Sequence, residues 1–159
     1  MDKLARLKTI DEYHKIMDSI LLELNKTQII IKYDGKKKSE ILAEEYYRKK
    51  GYTVYRSRVR NGYRIIGARY YWKEWEEVLN NTDKEIINTL LNILGEKKLR
   101  ELAYLTKDKN GCPDLMLIKD NKIQFVEVKT NNEEIKMATC EWFIKNENKY
   151  PISILRVKK

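Results

Sequence analysis

Several kinds of chemistry need residues that this sequence barely contains. Its 159 residues include two cysteines, Cys112 and Cys140, and one histidine, His14. The cysteines form no CxxC pair, and a lone histidine excludes a histidine-rich zinc site. It also leaves no Ser–His or Cys–His arrangement for nucleophilic catalysis. Two isolated thiols read as reduced rather than bridged, which points to the cytoplasm. No run approaches the ~18 apolar residues of a membrane-spanning helix. The stretch from Met1 to Ile20 lacks the short apolar core of a signal peptide. A glycine-rich phosphate loop is missing, which argues against nucleotide-driven chemistry. Repeats and low-complexity linkers are missing too, so residues 1–159 read as one domain.

What is abundant is charge, and mostly of one sign. Lys and Arg number 33 against 24 Asp and Glu, a formal net charge of +9. Such an excess implies an anionic partner, of which nucleic acid is the usual one, bound in a salt-dependent way. Hydrophobic residues still make up 42% of the chain, enough for a real core and too many for a disordered tail.

The apolar periodicity orders the elements. Leu4, Leu7, Ile10, Tyr13, Met17, Ile20, Leu21 and Leu24 have helical spacing and predict an amphipathic helix over 2–25. A strand is expected over 27–33, ended by Asp34-Gly35. Ser39 is a good N-cap for a helix from Glu40 to Lys50 that Gly51 stops. Asn61-Gly62 between β-rich runs predicts a hairpin. Helices follow at about 72–80, 83–94 and 96–105, the last two separated by Gly95. PDLMLIK and KIQFVEVK then predict a second hairpin, 132–147 a helix, and PISILRV a last strand.

The chemistry concentrates in that second hairpin. Asp120-Asn121 suits a two-residue turn, because both residues tolerate positive φ. Lys119 then faces Lys122, and the same register sets Asp114 opposite Glu127. Opposed Cβ atoms lie roughly 4.5–5.5 Å apart, so the two carboxylates can converge on one cation. Lys129, two residues beyond Glu127, projects from the same face. Facing carboxylates repel, and a divalent ion such as Mg²⁺ or Mn²⁺ removes that penalty. Met116, Ile118, Ile123 and Phe125 line one face of the hairpin, and Leu115, Leu117 and Val126 the other. Two apolar faces predict a sheet covered on both sides. The bland alternative is a set of surface charges at strand ends.

Gly111-x-Pro113-Asp114, a hairpin and Glu127-Val128-Lys129 together resemble the PD-(D/E)XK nuclease superfamily. More narrowly, GCPDLMLIKDNKIQFVEVKT followed by NNEEIKMATCEWF is similar to the VRR-NUC branch, and GYTVYRSRVRNG to archaeal Holliday-junction resolvases. SEILAEEYYRKKGYTVYRSR is similar to the superfamily's first helix and strand, so the likeness covers roughly 39–58 and 111–157. It implies an α/β, restriction-endonuclease-like core with a mixed central sheet flanked by helices. An N-terminal helix and a helical insertion at about 72–105 would be additions to that core.

The resemblance implies a metal-dependent DNA endonuclease acting on branched, flapped or junction DNA, often as a homodimer. Asp114, Glu127 and the Val128 main-chain carbonyl would hold Mg²⁺ or Mn²⁺. Lys129 would orient water or offset charge on the phosphate. Glu40 matches the first-helix acid, with Glu44 one turn along as the alternative. One departure stands out. Many relatives carry a Gln three residues before an aromatic on the helix after the motif lysine; here the aromatic matches Trp142 and the position holds Thr139.

DNA binding would fall to basic residues near the cleft. Arg56, Arg58 and Arg60 alternate and so share a face, with Arg64 and Arg69 following on the first hairpin. Lys36, Lys37 and Lys38 precede the Glu40 helix and extend the patch. Arginines on a solvated sheet edge, which deter strand aggregation, are the plainer explanation. Tyr63, Tyr70, Tyr71 and Trp72 are candidates for base stacking, or for ordinary core packing. The rival from another class is a nucleic-acid-binding module that keeps the fold without cleavage.

Overall fold

The computed structural model describes residues 9–57, 81–106, 112–146 and 149–159. The chain order is α1 (Ile10–Thr27), β1 (Ile29–Lys32), α2 (Ser39–Lys49), β2 (Thr53–Arg56), α3 (Asn81–Thr106), β3 (Leu115–Lys119), β4 (Lys122–Thr130), α4 (Met137–Asn146) and β5 (Ile152–Lys158). The Asn61-Gly62 hairpin, Arg58, Arg60, Arg64, Arg69, the aromatics from Tyr63 to Trp72 and the helix expected at 72–80 lie outside the described residues.

Helix boundaries follow local chemistry. Thr9 caps α1, its hydroxyl accepting the Glu12 N–H at 3.1 Å. α2 starts one residue earlier than the Ser39 cap predicts. Asp34 Oδ1 takes the N–H groups of Lys36 and Lys37 at 2.8 and 2.9 Å, and extended Lys38 becomes the cap residue. At its other end Gly51, at φ 90°, supplies the left-handed turn. Gly51 N–H then bonds Arg48 O, Tyr52 N–H bonds Tyr47 O, and the rings of Tyr47 and Tyr52 pack at 5.7 Å. That is a Schellman closure with its apolar contact. Gly95, at φ 79°, breaks α3 where two helices were expected to meet.

α4 begins at Met137 rather than at 132. Residues 131–135 are instead held as a turn. Glu133 Oε1 accepts the Thr130 N–H at 3.1 Å, and the buried Arg156 guanidinium donates to the carbonyls of Asn131 and Glu133 at 2.9 and 2.7 Å. With those groups bonded elsewhere, the helix starts one turn later.

The five strands form one mixed sheet in the order β1-β5-β4-β3-β2. β1, β5 and β4 are parallel, while β4, β3 and β2 are antiparallel. Helices cover both faces. α2 lays Ala43 and Tyr47 on Leu115, Leu117, Val126 and Val128. On the opposite face, both halves of α3 and Trp142 of α4 cover Met116, Ile118, Ile123 and Phe125, and α1 packs beside Ile154. This is the α/β architecture expected, with the hairpin side chains on the faces assigned to them. Phe125 is fully buried with Trp142 edge-on at 4.9 Å, so truncating it to alanine costs about 3–5 kcal/mol. Among the described residues no helix is long and apolar enough to cross a membrane.

Candidate active site

The hairpin register is the one the turn predicts. Asp120 and Asn121 have φ of 52° and 59°, as a type I′ turn requires, and Lys119 pairs with Lys122. Leu115 faces Val126, so the next pair along is Asp114 with Glu127 and the one after is Pro113 with Val128. Pairs alternate between hydrogen-bonded and non-hydrogen-bonded from the turn outward, and Asp114 with Glu127 falls in the second class, where side chains approach most closely.

Pro113 matters here through the donor it lacks. In an ordinary ladder residue 113 would exchange two hydrogen bonds with Val128. The Val128 N–H goes to Asp114 Oδ2 at 3.0 Å instead. β2 holds the Pro113-Asp114 peptide from the other flank. The Ser57 hydroxyl donates to Pro113 O, and the Ser57 N–H donates to Asp114 O at 3.0 Å.

Glu127 bears the cost of this arrangement. Burial, the hydrogen bond it shares with Asp114 and the charge of Asp114 push its pKa up to about 9. Lys129 and the Thr139 hydroxyl pull the other way, Thr139 donating to Glu127 Oε2 at 3.2 Å. Thr139 is itself buried. Lys129 is only 3% exposed, with Nζ 3.7 Å from Glu133 Oε2. Arg156 is its partner on β5 and, by holding the 131–133 turn, keeps Glu133 within reach.

A second group gathers around Arg56 on the α2 side. Its Nε donates to Glu44 Oε1 at 2.5 Å, and its Nη1 lies 3.6 Å from Glu40 Oε2. Arg48 Nη1 reaches the other Glu44 oxygen at 3.5 Å. Glu44 is buried, whereas the Glu40 side chain is about half exposed. Asp114 also acts on Arg56, its charge helping to raise the guanidinium pKa after Glu44 and Glu40. Lys36, Lys37 and Lys38 stay apart from both groups: Lys37 Nζ is tied to Glu45 at 2.6 Å, and Lys36 and Lys38 are exposed.

Asp114, Glu127 and Lys129 are thus brought together, and Glu40, Glu44 and Arg56 form a neighbouring cluster. Ser57 was not singled out in the sequence, and no spacing signal marks it. Thr139 was marked only as a departure from a motif.

The donor set suits a hard divalent cation. Two facing carboxylates, one of them unwilling to ionise beside the other, gain most from a shared positive charge. Among the described residues no cluster of three or more His, Cys, Asp or Glu side chains forms. Further oxygens would therefore come from the main chain, water or a substrate phosphate, as is usual for Mg²⁺.

No family model matches the sequence, and no curated protein matches it. Among solved structures, paFAN1 bound to a 5′-flap DNA with a two-nucleotide flap and a gap is similar, with a TM-score of 0.39 and 24% identity. The match covers 51% of this chain and 16% of that one.

Proposed function

We propose that this chain is a metal-dependent nuclease that hydrolyses phosphodiester bonds in DNA. One observation carries the reading: Asp114 and Glu127 meet at the open end of the hairpin, half-buried and close enough that the Asp114 charge disfavours the ionised form of Glu127, with the buried Lys129 beside them. A binding module gains nothing from such a pair, whereas a nuclease needs it.

In this reading Asp114, Glu127 and the Val128 carbonyl hold Mg²⁺ or Mn²⁺. When bound, that cation polarises a phosphoryl oxygen and acidifies the attacking water. Lys129 places its ammonium against the scissile phosphate or the water, exchanging its contact with Glu133 for one with substrate. Thr139 fixes the Glu127 carboxylate, and the Pro113-Asp114 peptide is fixed by Ser57. Glu40, half exposed at the same rim, stands as the first-helix acid. The net charge of +9 fits a polyanionic substrate.

The test is incubation of the purified protein with linear, flapped and four-way DNA, with and without Mg²⁺ or Mn²⁺. Cleavage is expected only with metal. Asp114→Ala and Lys129→Ala are each expected to lose it by at least ~100-fold while still binding DNA. Equal cleavage by wild type and both variants would sink the site assignment. Salt-sensitive binding without cleavage of any nucleic acid would favour a non-catalytic module.

A further inference from the structure

Glu44 is a buried acid on the first helix, one turn beyond Glu40, and its position invites assignment to the metal. Its contacts say otherwise. One carboxylate oxygen is taken by Arg56 Nε at 2.5 Å and the other lies 3.5 Å from Arg48 Nη1. Two guanidinium groups already satisfy its charge, which leaves little electrostatic demand for a cation.

Arg56 is the partner whose placement has consequences. It ends β2, opposite Leu115 in register, one residue from the Ser57 that holds Asp114. Its side chain is 48% exposed although its Nε is fixed. A guanidinium has five donors in a rigid fork, and Glu44 takes the one at Nε. Nη1 faces Glu40 at 3.6 Å, an exposed pair of the weak kind that a phosphate can displace.

We infer that Arg56 is a phosphate-contacting residue on the α2 side of the site, and that Glu44 is its positioning residue rather than a metal ligand. This rests on the nuclease reading for its substrate, DNA, but not for its geometry. The pair acts as a unit. Glu44 holds the guanidinium by its inner edge, so the outer edge meets the backbone beside the scissile phosphate without losing side-chain entropy on binding.

The test measures DNA binding and metal binding separately, without requiring turnover. A fluorescently labelled duplex is titrated in EDTA across a range of salt, and Mn²⁺ is titrated without DNA, for wild type, Arg56→Ala, Arg56→Lys, Glu44→Gln and the double variant Arg56→Ala with Glu44→Gln. Arg56→Ala is expected to weaken DNA binding about tenfold and to reduce the salt slope by about one. Glu44→Gln should weaken it several-fold, and the double variant should be no weaker than Arg56→Ala alone. Arg56→Lys should not restore wild-type affinity, since a lysine presents no fork to hold. Mn²⁺ binding should not weaken in Arg56→Ala, since the lost guanidinium charge acts on Asp114, and Glu44→Gln should not lose it.

Weaker Mn²⁺ binding in Glu44→Gln with unaltered DNA affinity would overturn the inference and return Glu44 to the metal. If Glu44→Gln does not fold, wild-type affinity and slope in Arg56→Ala overturn it alone. A wild type that binds DNA but cuts none would count against the nuclease reading only, leaving these binding comparisons readable.

Discussion

The two ends of the β3–β4 hairpin each oppose a pair of like charges, and they handle them in opposite ways. At the turn Lys119 faces Lys122, and both are exposed. Water screens the pair, and Lys119 finds other company: its Nζ donates to Lys50 O at 2.9 Å and lies 5.0 Å over the Tyr52 ring. At the open end Asp114 faces Glu127, both half-buried, so water screens them less and Glu127 resists ionising beside the Asp114 charge. The strand geometry is the same at both ends. Solvent decides whether an opposed pair is screened or costly, and the half-buried pair is the one the proposed nuclease reading uses.

The largest effect should come from changing the charge state of the half-buried pair, Asp114 and Glu127. Without metal, burial and the Asp114 charge raise the Glu127 pKa well above the 4.5 of an unfolded glutamate, so the folded state keeps its proton across a pH window above that value. The folded state thus binds more protons throughout that window, and stability must fall as pH rises across it. Thermal melts in EDTA should show the decline, and saturating Mg²⁺ should flatten it by replacing the proton. Asp114→Asn keeps an acceptor for the Val128 N–H while removing the opposing charge, so it should make the metal-free curve shallower, burial of Glu127 remaining, and abolish Mg²⁺ stabilisation. A wild-type melting temperature that rises from pH 5 to 9 in EDTA would contradict a raised Glu127 pKa.

How much of this was legible in the sequence depended on whether the determining contact was local. The hairpin register was, because a two-residue Asp-Asn turn leaves no freedom to slide and fixes Asp114 against Glu127. Gly51 and Gly95 were readable for the same reason: left-handed turns need glycine at those positions. The start of α4 was not. It is delayed by Arg156, a strand residue 20 or more positions away that in sequence is just one more basic residue. Glu40 and Glu44 were indistinguishable because residues four apart share a helix face. Arg56 on β2 touches both, and it is burial and a second guanidinium, Arg48, that set Glu44 apart. Ser57 and Thr139 acquire their partners solely through tertiary packing. The arginines expected to share a face with Arg56 and the hairpin that would carry them lie outside the described residues.

A smaller effect should follow from loosening the Asp114–Glu127 pair without removing either charge. Thr139→Val deletes the hydroxyl that donates to Glu127 and keeps the side-chain volume. Groups that orient metal-binding carboxylates are typically worth 10–100-fold in affinity, so Mn²⁺ binding should weaken by about tenfold. Thr139→Ser, which keeps the hydroxyl, should restore most of it. A purely packing role for Thr139 predicts the reverse order, with valine harmless and serine costly.

The smallest effect belongs at the exposed end, and its size tests the comparison from the other side. Lys122→Glu turns the opposed lysines into an opposite-charge pair across the same ladder. Such cross-strand pairs contribute roughly 0.2–1 kcal/mol, and the turn itself is untouched. Urea denaturation at low salt should therefore show a gain below about 1 kcal/mol, fading as added salt screens the pair. Cleavage and Mn²⁺ affinity should not change, because the substitution lies five residues along β4 from Glu127. A gain that persists in high salt would mean the lysines are not solvated as their exposure implies. Exposure would then no longer distinguish the two ends of the hairpin.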